Sequence, residues 1–111
     1  MKRIACLVPK NADAGQVTCV KSVLAEFGEV KVVPYFRESR EALATVREAD
    51  LIYVFNPAGT VDERIADLLR FCAERKKPTY AFREIIGLNF PEPLVRAVIP
   101  PVRMIEVINQ R

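Results

Sequence analysis

Leu51-Ile52-Tyr53-Val54-Phe55 is the stretch that most constrains what this chain can fold into. It is an unbroken apolar run of β-branched and aromatic residues. With no polar residue at alternate positions, it reads as a strand buried on both faces. Asn56-Pro57 stops the run, and Gly59 gives the next loop conformational freedom. Thr60 and Glu63 have capping-box spacing, which predicts a helix start. Ile65, Leu68, Leu69 and Cys72 then recur at i, i+3, i+4 and i+7, the stripe of a helix facing a core. Arg75, Lys76 and Lys77 place cations at the negative end of that helix's dipole, and Pro78 forbids continuation. Thr79 to Phe82 reads as a second strand. Strand, short polar loop, helix and strand make a βαβ unit. Open parallel sheets bind ligands at the carboxyl edge, where that loop lies.

The rest of the chain repeats the alternation. Arg3 to Val8 is a predicted buried strand, and residues 9 to 15 form a polar loop. Asp13, with Gln16 as its partner, is positioned to cap a helix carrying Val17, Val20, Leu24 and Phe27, with Gly28 as its stop. Glu29 to Phe36 reads as an edge strand, because Lys31 and Pro34 suit an edge. Ser39 is placed to cap a helix holding Leu43 and Val46. After Phe82, a connector runs to Phe90, Pro91-Glu92-Pro93 opens a short helix over Leu94 to Ile99, and Arg103 to Ile108 is a last strand. At 111 residues, without linkers or repeats, residues 1–111 are one domain. The expected fold class is α/β: a three-layer, doubly wound, flavodoxin- or Rossmann-like domain. Its mostly parallel five-stranded sheet has the order 2-1-3-4-5. The loops after the first and third strands then flank the ligand crevice.

Composition removes several functions. There is no histidine, which excludes Ser-His-Asp triads and imidazole-based acid–base or metal chemistry. The three cysteines lack metal-ligand spacing and read as small apolar residues in a reducing compartment, so no metal site is expected. Lys and Arg number 17 against 14 acidic residues, and they are spread along the chain rather than gathered on one nucleic-acid-binding face. The apolar run after Lys2-Arg3 ends at Pro9, too short for a signal core or a membrane span, so a cytoplasmic protein is expected. No cofactor is expected either. The loop after the first strand lacks the Ser/Thr/Gly-rich phosphate cradle of a flavodoxin and the acidic residues of a receiver domain.

Ala49-Asp50, Asn56-Pro57, Gly59 and Lys77-Pro78 together resemble the nucleoside 2-deoxyribosyltransferase superfamily. There, an Ala-Asp precedes an apolar strand ending in Asn-Pro. Glycines, a Tyr, a Ser or Thr and the catalytic Glu follow, and a Gly-Lys-Pro precedes the next strand. This chain departs from that pattern at the chemical positions. Thr60 stands where Tyr is usual, Asp62 where the second Gly is, Ile65 where Ser or Thr is, and Leu68 where the nucleophilic Glu is. Val8-Pro9-Lys10 stands where the family commonly has a ligand-contacting Gly-Ser.

The resemblance implies cleavage of a 2-deoxyribonucleoside through a glycosyl-enzyme, and a homo-oligomer, most simply a dimer. Leu88-Asn89-Phe90 and Met104 to Ile108 are its apolar candidate surfaces. Leu68 has no lone pair to attack an anomeric carbon. Glu63 and Asp67 are the neighbouring carboxylates for a displaced version of that role, although the first is explained by the capping box and the second by a solvated face. Binding makes fewer demands than catalysis. Asn56, Gly59, Thr60 and Asp62 sit at a helix N-terminus, and Lys10 and Asn11 in the facing loop; this is the expected site for a nucleoside- or nucleotide-like small molecule. Three readings follow. The chain is a silent relative that binds such a ligand, an interaction or signalling module on a flavodoxin-like scaffold with a vestigial pocket, or an active N-glycosidic enzyme using a displaced carboxylate.

Overall fold

The computed structural model describes residues 2–8, 13–34, 40–57, 63–83 and 97–103. Four strands, Lys2–Val8 (β1), Gly28–Pro34 (β2), Leu51–Val54 (β3) and Thr79–Ala81 (β4), pair in parallel. β1 lies between β2 and β3, and β4 lies on the far side of β3. A two-residue strand, Ala97–Val98 (β5), runs parallel beside β4. The helices are Ala14–Ala25 (α1), Arg40–Glu48 (α2) and Glu63–Glu74 (α3), and Pro101–Arg103 forms a 3-10 helix.

The sheet separates two apolar layers. Ile4, Cys6 and Val8 of β1, Leu51 and Tyr53 of β3, Phe55 beyond it and Tyr80 of β4 pack toward Val20 and Leu24 of α1. The alternate residues Ala5, Leu7, Ile52, Val54 and Ala81 pack toward Val46 of α2 and Leu69 and Cys72 of α3. Leu51 to Phe55 is buried throughout, so the strand has no solvent face, as its composition requires. Two helices on one face and one on the other make the domain a doubly wound, three-layer α/β fold. Phe71, where α3 meets α2, has the guanidiniums of Arg47 and Arg75 over its ring, 5.8 and 4.8 Å from the centroid.

Local signals account for most element boundaries. Asp13 caps α1, its Oδ1 accepting from the Gly15 and Gln16 amides at 2.7 and 3.3 Å. α3 ends in a paired closure: the Lys76 amide donates to Ala73 O and the Lys77 amide to Cys72 O. Lys76 stands there at φ 56°, the left-handed position that favours glycine.

Three expectations need correction. α1 stops at Ala25 with Glu26 as its cap, and Gly28 opens β2 instead of ending the helix. Ala97 and Val98, expected in a short helix, are extended and pair with β4, because Tyr80 and Ala81 offer them an open ladder edge. Arg103, expected to begin the last strand, closes the 3-10 helix. The remainder of that strand, residues 104 to 108, lies outside the described residues, as do Ser39, the connector from Glu84 to Phe90 and residues 91 to 96.

Two measurements test this account. Lys76→Gly relieves a left-handed lysine and should stabilise the protein by about 1 kcal/mol, read as a higher urea midpoint at unchanged slope. The thiols give the second. Cys19 is exposed, whereas Cys6 and Cys72 are buried. Burial pushes the Cys6 thiol up to about 12 and the Cys72 thiol up to about 11, the latter despite an opposing pull from Lys77. Both groups therefore favour the fold as neutral thiols below their ordinary value of about 8.5, and that contribution is lost as pH rises toward 11 and 12. At pH 8 a maleimide should add once to the folded protein and three times after unfolding, by intact mass. A second rapid adduct on the folded chain would contradict the packing.

Candidate functional site

β1 and β3 are neighbours whose chains leave the sheet on opposite sides. β1 leads to α1 on one face, and β3 leads to α3 on the other. Their carboxyl ends stay laced together, since the Phe55 amide donates to Leu7 O at 2.8 Å. Such a divergence opens a crevice at the carboxyl edge, the usual ligand position in doubly wound sheets. The connections from Val8 to Asp13 and from Pro57 to Glu63 start at this edge. Lys10, Asn11, Gly59, Thr60 and Asp62 belong to them but lie outside the described residues, and so does the side chain of Glu63 at the start of α3.

The remaining expected residues have definite places. Asn56 is buried, and its carboxamide grips the backbone of Arg83: Nδ2 donates to Arg83 O, and the Arg83 amide donates to Oδ1, both at 2.9 Å. It fastens the end of β3 to the end of β4. Asp67 is exposed on α3 and accepts from Arg70 Nη1 at 3.0 Å, one turn along the same helix. That pair is a solvated surface contact worth little to stability. Leu68 is half-buried and packs on the core shared by α2, α3 and the sheet.

Two more residues carrying the family resemblance act as fasteners at the opposite, amino edge. The Arg3 amide donates to Asp50 Oδ2 at 2.9 Å, and the Asp50 amide donates to Arg3 O at 2.7 Å, locking the starts of β1 and β3. Lys77 Nζ donates to the carbonyls of Arg47 and Ala49 at 2.8 and 2.6 Å, gathering the end of α2 beneath the entry to β4. A small indentation nearby, beside Arg3, Glu29, Lys31 and Glu48, encloses about 20 Å³, room for a single water.

A larger concavity lies at the carboxyl edge, on the α1 side. It is an apolar groove of about 260 Å³ between α1 (Gln16, Cys19, Val20, Val23), Phe55, Phe82 and Pro100 to Val102. Phe55 and Phe82 follow the last ladder residues of β3 and β4, and their ring centroids are 5.0 Å apart at 56°. Tyr53 belongs to the same apolar layer as Phe55. Burial, and secondarily the Cys6 thiol, raise its phenol well above the ordinary range, so it stays protonated and donates to Ile99 O at 2.8 Å. That bond holds the chain leading to the Pro100–Val102 wall. The groove was not anticipated from sequence. Its available signal was an aromatic residue directly after each of two adjacent parallel strands. Among the described residues no cluster of His, Cys, Asp or Glu could hold a metal, and no helix is long and apolar enough to cross a membrane.

No protein-family model and no curated protein matches the chain. Among solved structures, the flavoenzyme NAD(P)H:(acceptor) oxidoreductase FerB from Paracoccus denitrificans aligns over 86% of this chain and 80% of its own, at 8% identity and a TM-score of 0.49. A flavodoxin from the domain Archaea aligns over 96% of this chain and 99% of its own, at 11% identity and a TM-score of 0.44.

Asn56→Ala should be costly, because it strips a donor and an acceptor from a part-buried backbone unit. A loss of about 2 kcal/mol is expected from the urea midpoint. A change below a few tenths would mean that water replaces the carboxamide and that the clasp is incidental.

Proposed function

We propose that this protein is a divergent relative of the nucleoside 2-deoxyribosyltransferase superfamily that binds a nucleoside- or nucleotide-like small molecule without glycosyl transfer. The observation that carries the reading is Leu68. At the position matching the nucleophile, the side chain is aliphatic and packs on the core. Asp67 is turned to solvent with Arg70, which gives the displaced-carboxylate alternative no support.

Binding keeps its footing in the topology. A crevice opens where β1 and β3 diverge, and the polar connections containing Lys10, Asn11, Gly59, Thr60 and Asp62 start at its rim. In this reading the complete sheet has five strands in the order 2-1-3-4-5, the protein is cytoplasmic, and it pairs as a homodimer through Leu88-Asn89-Phe90 and the Met104 to Ile108 segment. Its ligand is a small molecule; nucleic acid and membrane are not partners.

Thermal denaturation across nucleosides, nucleotides and sugar phosphates tests binding. A ligand confined to the folded state at a hundred times its dissociation constant adds about 2.7 kcal/mol, a rise of several degrees in Tm. No 2-deoxynucleoside should release free base, by chromatography. Leu68→Glu should not restore release, and it should destabilise the fold by about 2 kcal/mol through lost packing and a poorly solvated carboxylate. Base release by the natural chain at an enzymatic rate would end the silent-relative reading.

A further inference from the structure

We propose that the groove beside Phe55 and Phe82 seats an uncharged, planar heteroaromatic ring, the base end of the ligand. This rests on the ligand-binding reading above and adds where the ring goes.

Size sets the first limit. Apolar cavities of about 150 Å³ accept benzene, so a groove of about 260 Å³ accommodates one or two fused rings. Charge sets the second. Among the described residues lining the groove only the Cys19 thiol is ionisable, and the charge recorded beside a wall is the Arg83 guanidinium, 5.5 Å from the Phe82 ring centroid, so a cationic ring would be desolvated without a counter-ion. Shape sets the third. Phe55 is buried and forms the floor, while half-buried Phe82 forms a wall; aromatic walls favour offset or edge contacts with another ring. Gln16, in the first turn of α1, supplies a side-chain amide able to donate to or accept from a ring edge.

The groove lies at the same carboxyl edge as the crevice, its floor residue Phe55 coming directly after β3. A ligand with a polar end at the loops can place its ring there. A second copy of the chain is a poorer occupant. Val98 and Val102 are the large hydrophobics standing exposed among the described residues, and of the two only Val102 lines the groove.

Cys19 provides the readout, being the exposed cysteine and part of the groove wall. Its maleimide labelling rate is measured with adenine, thymidine or ribose 5-phosphate, alongside Tm and scattering mass. Adenine or thymidine, at several times its dissociation constant, should slow labelling by about fivefold. Ribose 5-phosphate should leave the rate unchanged. Val102→Glu sets a charge on the exposed wall; it should abolish protection and keep the ligand-free Tm. Cys19→Phe fills the groove and should abolish the Tm rise with adenine.

If adenine or thymidine raises Tm while Cys19 labels at its free rate, the groove assignment is overturned and the ligand-binding reading stands. If no compound changes either quantity, both fall. Protection that survives Val102→Glu also overturns the assignment. So does a Cys19 shielded without ligand in a particle of twice the chain mass, which would make the groove a contact between copies.

Discussion

Everything in this fold refers to a strand that has no solvent face. Leu51, Tyr53 and Phe55 point to the α1 layer, and Ile52 and Val54 to the layer of α2 and α3. Their backbone groups need partners too, since a buried N–H or C=O left unpaired is costly. β3 must therefore be central, with β1 on one side and β4 on the other. One polar atom enters this arrangement, the Tyr53 hydroxyl. It is satisfied by the carbonyl of Ile99, which ties the chain after β5 to the middle of the sheet.

The residues that carry the family resemblance divide by physical role. Asp50, Asn56 and Lys77 each satisfy backbone groups at an edge of the sheet: Asp50 between β1 and β3, Asn56 between β3 and β4, Lys77 between α2 and the start of β4. These are requirements of a tight βαβ unit, in which strand ends leave amides and carbonyls without ladder partners. They say nothing of what happens to a ligand. A chain can keep them for its fold and carry other residues where chemistry would need a carboxylate. A resemblance resting on the fasteners is therefore informative about architecture and weak about reaction.

What was legible in the sequence follows from the same distinction. The burial of Leu51 to Phe55, the Asp13 cap and the stripes Val20–Leu24 and Leu69–Cys72 are local patterns with local causes, and they read directly. Ala97 and Val98 did not. Leu94 to Ile99, apolar but for Arg96, is too short for periodicity to separate strand from helix, and the pairing with Tyr80 and Ala81 that decides it is non-local. Lys76 carries no sequence mark of a left-handed backbone; its conformation comes from the closure of α3. The site was legible only as a place in the topology. Asn56 looked like a polar ligand contact because a carboxamide serves a backbone as readily as a ligand, and only the position of Arg83 reveals the backbone clasp it makes. The groove needed α1, two strand ends and the Pro100–Val102 segment in one place, which no pattern within a single segment foretells.

Position 68 shows why packing and a nucleophilic carboxylate would compete for the same helix face. A nucleophilic carboxylate there would have to project from α3 beside Leu69 and Cys72, on the stripe that seals the helix to the sheet. A carboxylate so placed loses solvation and disrupts apolar contacts; both penalties fall on the fold, and a pocket must offset them with compensating hydrogen bonds. Leucine removes the conflict. It extends the stripe through Leu68, Leu69, Phe71 and Cys72, and the Arg47 and Arg75 guanidiniums over Phe71 continue the contact toward α2. A helix seated this way fixes its first turn at the crevice, with the positive end of its dipole toward the carboxyl edge. Leucine at position 68 therefore strengthens the seating of α3 on the sheet.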